Sequence, residues 1–391
     1  MPVPAAFPAE RSRLAVLLEH LGTIEDPRDV RRITHPLSEV LLLVVCGTIA
    51  DCDDYEHIAE WGAAHLDFLR RHLPYEHGVP GGRWLTILMN RISPALFQAA
   101  FTAWVRAAWP ERPEFVAIDG KTSRRSHDRA AGAAPIHLVS AFATTARLVL
   151  GQEAVADKSS EVTAIPALLA RLAEEDGLKG ALVSIDAIAT NAAIAQAIRD
   201  AGADYLLAVK ANQPTLRAEI EAAFAAAPPG MVETAIEHDK GHGRIETRRV
   251  SVLREVDWLS GERRFPGELR LPDAACLVRV EARTERARGG EARVETRYYI
   301  VSARLAAAKA AEAVRGHWGI ENRLHWVLDV VFGDDQSRLR KGHGARNMAV
   351  VRHFALNLVR AATDKRSIKL RRKVASWNPD YLHTLLNLQI Q

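Results

Sequence analysis

Cysteine is scarce in this chain. Its 391 residues hold three, Cys46, Cys52 and Cys276, with no CxxC pair and one left odd. That pattern argues against a disulfide scaffold and a structural zinc site, and it points to a reducing compartment. Long apolar runs are missing too. The longest, Val40 to Ala50, is too short to span a bilayer and reads as a buried helix. The opening residues MPVPAAFPAE lack a basic stretch followed by an apolar one, so no secretory signal is read there. Together these absences predict a cytoplasmic protein with no membrane partner.

A large overall charge is also lacking, at +4 with pI ≈ 9.0, but the charge is unevenly spread. Residues 1–60 carry 11 acidic and 5 basic side chains. Residues 336–373 carry 12 Lys/Arg, among them Arg338, Arg340 and Lys341, against the single acid Asp364. A concentrated positive segment attracts polyanions such as DNA. It also fits a solvated helix face. With 48% hydrophobic and 26% charged residues the composition is that of a soluble globular protein, long enough for two or three domains.

Residues 10–110 read as helical. Leu14, Leu17, Leu18 and Leu21, then Leu37, Leu41, Leu42 and Val45, then Phe97, Phe101, Trp104 and Val105 recur at helical spacing, with Pro27, Pro36, Pro74 and Pro80 between. This predicts an all-helical N-terminal domain, residues 1–112, of four or five helices. From residue 113 the pattern changes. FVAIDG is a short buried strand, HLVSAFATTARLVLGQEAV a hairpin turning near Thr145–Arg147, and IPALLARLAEE an amphipathic helix with Ser160 or Thr163 at its start. ALVSIDAIA is a second buried strand. NAAIAQAIRDAG is a helix capped by Asn191 and stopped by Gly202, and DYLLAVK a strand. The order strand, hairpin, helix, strand, helix, strand matches an α/β fold with an RNase H-like mixed sheet, whose first and fourth strands lie side by side. A β-rich insertion at about 230–303 separates this core from a returning helix, and a basic helical segment at about 336–391 closes the chain.

Three carboxylates stand in this frame. Asp119 exits the first strand, Asp186 exits the fourth, and Glu321 lies in the helical segment RGHWGIENRLHWVLDVVFGDD. Either aspartate alone could be a turn or capping residue. Strand adjacency, however, makes them neighbours in space, and two carboxylates that close resist ionising together unless a cation joins them. Mg²⁺, a hard ion that prefers carboxylate oxygens, suits such a site, with Mn²⁺ as its substitute. Glu321 shares a helix face with His317 and His325. The stripe lacks the HExxH spacing of a zinc site, and an exposed polar face explains it equally well. Asp329, Asp334 and Asp335 are rival third ligands. Lys121, Thr122, Arg124 and Arg125 follow Asp119 at once and could grip phosphate. Lys210, Asn212 and Gln213 follow a core strand on the same edge. His242, Arg244 and Arg248 offer DNA contacts from the insertion or simply an exposed hairpin.

IDGKT, LGQEAVADKSSEVTAIPALL, IDAIAT, GADYLLAVKANQ, GHGRIETR, RGHWGIENRLHWVLDVVFGDDQSR and NMAVVRHFALNLVR, in this order over about residues 12–390, resemble a DDE transposase of the H-repeat-associated branch of bacterial insertion sequences. The resemblance implies an RNase H-like catalytic domain over 113–391, an associated helical N-terminal domain, and an acidic triad at Asp119, Asp186 and Glu321. It also implies Mg²⁺-dependent cutting and joining of double-stranded DNA, at the element's terminal inverted repeats and in target DNA, by a homodimer in the synaptic complex of a bacterial cytoplasm. Related transposases carry a Tyr/Arg/Glu/Lys signature on the glutamate helix; here Val314, His317 and Leu328 replace Tyr, Arg and Lys. Two alternatives stay open at this point: a binding-only relic or repurposed transposase, and a nuclease that hydrolyses without joining.

Overall fold

The computed structural model describes residues 11–390, apart from 128–131, 133, 156–160, 229, 242–243, 260–267, 287–291 and the side chain of 286. Six helices come first: α1 (Arg13–Leu21), α2 (Leu37–Ile49), α3 (Tyr55–Ala64), α4 (Leu66–Leu69), α5 (Gly82–Met89) and α6 (Pro94–Ala108). The sequence predicts four or five. The extra one is a single turn, split from α3 where His65 leaves helical geometry at φ −117° and ψ 27°. Local chemistry sets three of the other starts: the Ser12 and Asp54 side chains accept from the Ala15 and His57 amides at α1 and α3, and Pro94 opens α6. Helix α2 is apolar nearly all round and is buried accordingly.

The core sheet follows, with β1 (Phe115–Thr122), β2 (His137–Ala143), β3 (Leu148–Val155), α7 (Glu161–Ala173), β4 (Leu182–Ile185), α8 (Ala192–Asp200) and β5 (Asp204–Val209). The strand order is β3-β2-β1-β4-β5. β2 runs antiparallel to β1 and β3, while β1, β4 and β5 are parallel. This is the RNase H-like mixed sheet expected from the sequence. The β2–β3 hairpin turns at residues 144–147, with Arg147 at φ +56°. Asn191 caps α8 by accepting from the Ile194 amide at 2.9 Å, and Gly202 ends it at φ +71°.

After α9 (Pro214–Ala226) the insertion supplies β6 (Val232–Gly241), β7 (Arg244–Leu253), β8 (Cys276–Arg286) and β9 (Arg293–Val301). It does not stand apart. β9 pairs antiparallel with β5, so β9, β8, β7 and β6 extend the core into one nine-stranded sheet. Helix α10 (Ala307–His317), a π-helical turn (Glu321–His325) and α11 (Trp326–Val331) return to the core, and α12 (Gly344–Ala361), α13 (Ile368–Trp377) and α14 (Pro379–Leu386) close the fold.

Alternation along β1 decides what lies on each face. Val116 and Ile118 pack with Ile165 and Leu168 of α7 and Ile194 of α8. Ala117 points the other way, into a cluster with Leu41, Trp104, Phe354, Ile320, Leu324 and Leu328. The N-terminal helices, the glutamate helix and α12 to α14 thus share one apolar core over the face from which Asp119 projects. Among the described residues no helix is long and apolar enough to cross a membrane.

Candidate active site

Register brings the first two acids together. Ile118 of β1 pairs with Ile185 of β4, and Asp119 and Asp186 are the next residues of those parallel strands. Both therefore leave the same sheet edge. The helical segment carrying Glu321 crosses that edge and is fixed at two points. His317 Nδ1 lies 3.0 Å from Ser184 Oγ, two residues before Asp186. His325 Nδ1 lies 3.5 Å from Asp119 Oδ2. Glu321 sits between the two histidines, exposed, and opens the π-helical turn. Such turns re-aim side chains within a helix and recur at functional sites. The apolar stripe of Ile320, Leu324, Val327 and Leu328 is buried on the opposite side.

Electrostatics set the two aspartates apart. Burial pushes the Asp119 carboxyl up to about 7; the Gly120 amide opposes this, and the nearby carboxylates Glu161, Glu321 and Asp186 add to it. Burial works against charge on Asp186 as well. There the hydrogen bond from Lys210, 2.6 Å from Oδ1, and that of the Ala187 amide outweigh it, and the carboxyl falls below its ordinary value. Burial lowers both His317 and His325 to about 4, so both rings are neutral at pH 7. An edge with surplus negative charge, hard oxygen donors and an ammonium already seated on one of them fits a divalent cation held by Asp119, Asp186 and Glu321.

Asp329, Asp334 and Asp335 form a second acidic group, with one ligand atom from each within 4.8 Å of the others. Its charge is already met. Lys121 Nζ lies 2.7 Å from Asp329, 2.8 Å from Asp334 and 3.6 Å from Asp335, and Arg352 pairs with the buried Asp334. Burial opposes charge on Asp334, yet Arg352 and Lys121 hold its carboxyl below the usual range.

The predicted phosphate contacts fall into three groups. Lys121 is largely buried and turned to these acids, while the Thr122 hydroxyl meets His137 Nδ1 at 2.8 Å. Asn212 and Gln213 donate to the carbonyls of Ala187 and Thr190 at 3.1 and 2.7 Å, which pins the loop after Asp186. Arg124, Arg125, Lys210, Arg244, Arg338, Arg340 and Lys341 are exposed. Of these, Arg125 also reaches Gln336 at 3.0 Å, and Arg340 donates to the Arg125 carbonyl at 3.0 Å. His242 lies outside the described residues. The basic run 336–373 is partly internal: Arg352, Arg371 and Arg372 are buried. Two residues next to the Asp119 strand carry no clear signal in the sequence. Glu161 and His137 are buried beside Gly120 and joined by a 2.6 Å hydrogen bond.

A "Transposase DDE domain" family model matches residues 110–358, and a "DDE_Tnp_1-associated" model matches residues 18–105. The "H repeat-associated putative transposase YhhI" of Escherichia coli (strain K12) is 36% identical over 385 residues, covering 95% of this chain and 98% of that one. YbfL of the same strain is 36% identical with the same coverage of 95% and 98%. A solved piggyBac transposase synaptic complex with hairpin DNA aligns over 96% of this chain and 82% of that one, at 10% identity and TM-score 0.43. On the matches over most of its length, this chain belongs to the family of transposases built on the DDE domain.

Proposed function

We propose that this chain is a DNA transposase that cuts phosphodiester bonds at the ends of an insertion sequence and joins the freed ends to target DNA. Asp119, Asp186 and Glu321 are its catalytic carboxylates. The observation that carries the reading is the meeting of Asp119 and Asp186 at the ends of parallel strands, with Glu321 set across them between His317 and His325. A divalent cation, Mg²⁺ by the hardness of these oxygen donors, supplies Lewis-acid activation of the attacking oxygen and neutralises charge on the phosphate when bound.

The protein's own groups position and neutralise. The neutral His317 and His325 fix the Glu321 turn without adding positive charge beside the carboxylates. Asn212 and Gln213 hold the Asp186 loop. Exposed Arg124, Arg125, Lys210, Arg244, Arg338, Arg340 and Lys341 contact DNA phosphates, which sets register and affinity rather than sequence preference. Water attacks first and frees a 3′-hydroxyl; that hydroxyl then attacks target DNA at the same carboxylates, with no covalent protein intermediate. Joining two ends requires two sites, so the synaptic complex is a homodimer.

The test is a Mg²⁺-dependent cleavage assay on DNA carrying the terminal repeats that flank the gene, comparing wild type with Glu321→Gln. Cutting by wild type alone supports the reading. Cutting by both moves the third carboxylate to Asp329, Asp334 or Asp335. End binding without cutting by either marks a binding relic, and cutting without joining marks a hydrolytic nuclease.

A further inference from the structure

The insertion carries a trough that the triad does not use. It is a concave space of ≈ 780 Å³ on one face of β7, β8 and β9. The middle strand is its floor, where Val280, Ala282 and Thr284 point to one side and are all small. The flanking strands are its walls. Register sets Arg248 and Glu295 on either side of Ala282, and Glu246 and Arg293 on either side of Thr284. Five arginines line the space against three glutamates. Arg248 and Arg297 each pair with a glutamate of their own strand. Arg244 and Arg293, at the outer end, are exposed and make no ion pair among the described residues.

The trough lies on the face of the sheet from which Asp119 projects. Phe115, on the same side of β1 by alternation, shares an apolar cluster with Val250, Val280 and Val314. The inner end is Trp318, three residues before Glu321, with the Arg297 guanidinium 4.1 Å from its ring centre. Arg297 precedes Tyr298, which pairs with Val209 beside Lys210, the ammonium on Asp186. Trough and carboxylates are therefore continuous.

Dimensions choose the occupant. Two strand spacings separate the walls by about 9.5 Å. The major groove of a B-form duplex is itself about 12 Å wide, so a duplex does not fit between them. From Val280 to Thr284 the floor runs about 13 Å, the span of about four stacked nucleotides at about 3.4 Å each. Cationic walls with an aromatic ring at the end suit a single nucleic-acid strand.

Resting on the transposase reading above, we infer that this trough holds a short single strand of the element's end DNA, about four nucleotides long and entering past Lys210. Arg244 and Arg293 neutralise its phosphates at the outer end. Arg248, whose Nη1 is buried without a partner among the described residues, donates to a phosphate between. Trp318, backed by Arg297, meets a base at the inner end.

The experiment is fluorescence anisotropy in EDTA with DNA of the terminal repeat that flanks the gene. The DNA is blunt or bears a four-nucleotide single-stranded tail, 5′ or 3′. Wild-type full chain is compared with Ala282→Trp and with the double variant Arg244→Gln/Arg293→Gln, and circular dichroism melts check each fold. Wild type should bind one tailed DNA about tenfold more tightly than blunt DNA. Ala282→Trp fills the floor without changing charge. It should cancel that advantage and bind blunt DNA as wild type does. The double variant should lower the salt slope for tailed DNA by up to about 1.4, at about 0.7 for each single-strand phosphate. No binding of any DNA by wild type overturns the transposase reading together with this inference. Blunt binding with no gain from either tail sinks the inference alone. So does an Ala282→Trp variant that keeps the tail advantage or that loses blunt and tailed binding equally. Light scattering that shows a dimer lost in Ala282→Trp, with tail binding intact, assigns the trough to a protein segment instead. An unchanged salt slope in the double variant overturns the inference whether or not Ala282→Trp folds.

Discussion

Lys121 and Asp334 form a 2.8 Å ion pair across 213 residues of sequence, tying strand β1 to the turn that follows the Glu321 helix. The lysine is two residues beyond Asp119 and also reaches Asp329, eight residues beyond Glu321. One ammonium thus sets the distance between the strand and helix that carry the proposed catalytic acids. Lys121→Met leaves three carboxylates facing one another with Arg352 on Asp334 and the exposed Arg124, 3.8 Å from Asp335, in compensation. Removing one partner of a buried pair costs about 3–5 kcal/mol. Urea unfolding at pH 7 should show a loss of about that size, with DNA cleavage falling alongside. A variant as stable as wild type would show that Arg352 and Arg124 balance the group without the lysine.

Asp119 and the buried histidines give opposite pH trends. The Asp119 carboxyl is raised from 3.8 to about 7 in the fold. For an acid with a raised folded value, the unfolded chain sheds its proton first, so the fold loses stability as pH rises from about 4 to about 7 and regains none above. Asp119→Asn removes that penalty. The variant should be more stable than wild type at pH 8, by on the order of 2 kcal/mol after allowance for partial exposure, with little difference at pH 4. Mg²⁺ should narrow the gap at pH 8 by stabilising wild type alone. Denaturant melts at the two pH values, with and without Mg²⁺, measure this. Equal stabilities at pH 8 would mean that Asp119 is not strained by its neighbours.

His353 is fully enclosed in α12, and burial lowers it from 6.5 to about 3. A base with a lowered folded value contributes stability that is present above the unfolded value and lost as pH falls. Between pH 6.5 and about 4, protonation of the unfolded chain should therefore erode the fold, and His317 and His325 act in the same sense. His353→Leu fills a comparable volume beside Phe101 and Phe354 without titrating. Its stability should fall less than that of wild type between pH 7 and pH 4.5, by about 1–3 kcal/mol. Parallel curves for the two proteins would remove His353 from the acid response.

Much of this site was legible in the sequence because strand alternation and strand order are local signals. FVAIDG and ALVSIDAIA each read as a buried strand ending in Asp, and the RNase H-like order made them neighbours; the Ile118–Ile185 register is that arrangement. Other features depend on the meeting of distant segments. The insertion reads as a separate β-rich block, yet β9 bonds to β5 and continues the core sheet. Glu161 reads as an ordinary acid in a first helical turn and His137 as a strand start. Only in the fold do they meet, against Gly120, where a side chain would clash with both. The π-helical turn at Glu321 leaves the heptad-like apolar stripe intact, so periodicity gives no sign of it.

The basic run after residue 336 divides by burial, and the division predicts two separable phenotypes. Arg372 is fully buried, donates to the Thr48 and Val331 carbonyls, pairs with Asp51 at 3.0 Å, and lies 4.1 Å from the Phe332 ring centre. It joins α2, the turn after the Glu321 helix and α13, so its charge is spent inside the protein. Lys365, Lys369 and Lys373 on the same stretch are exposed. Arg372→Met strips two carbonyls and two aspartates, Asp51 and Asp53, of their partner and should cost about 3–5 kcal/mol of stability. Replacing Lys365, Lys369 and Lys373 with Gln should leave the melt within about 0.5 kcal/mol of wild type, as surface changes do. If this face meets phosphate, the triple variant should bind DNA more weakly and lower the salt slope of binding by up to about 0.9 for each phosphate it no longer neutralises. An unchanged salt slope would assign the exposed lysines to solvent and place the DNA path on Arg124, Arg125, Arg338, Arg340 and Lys341 instead.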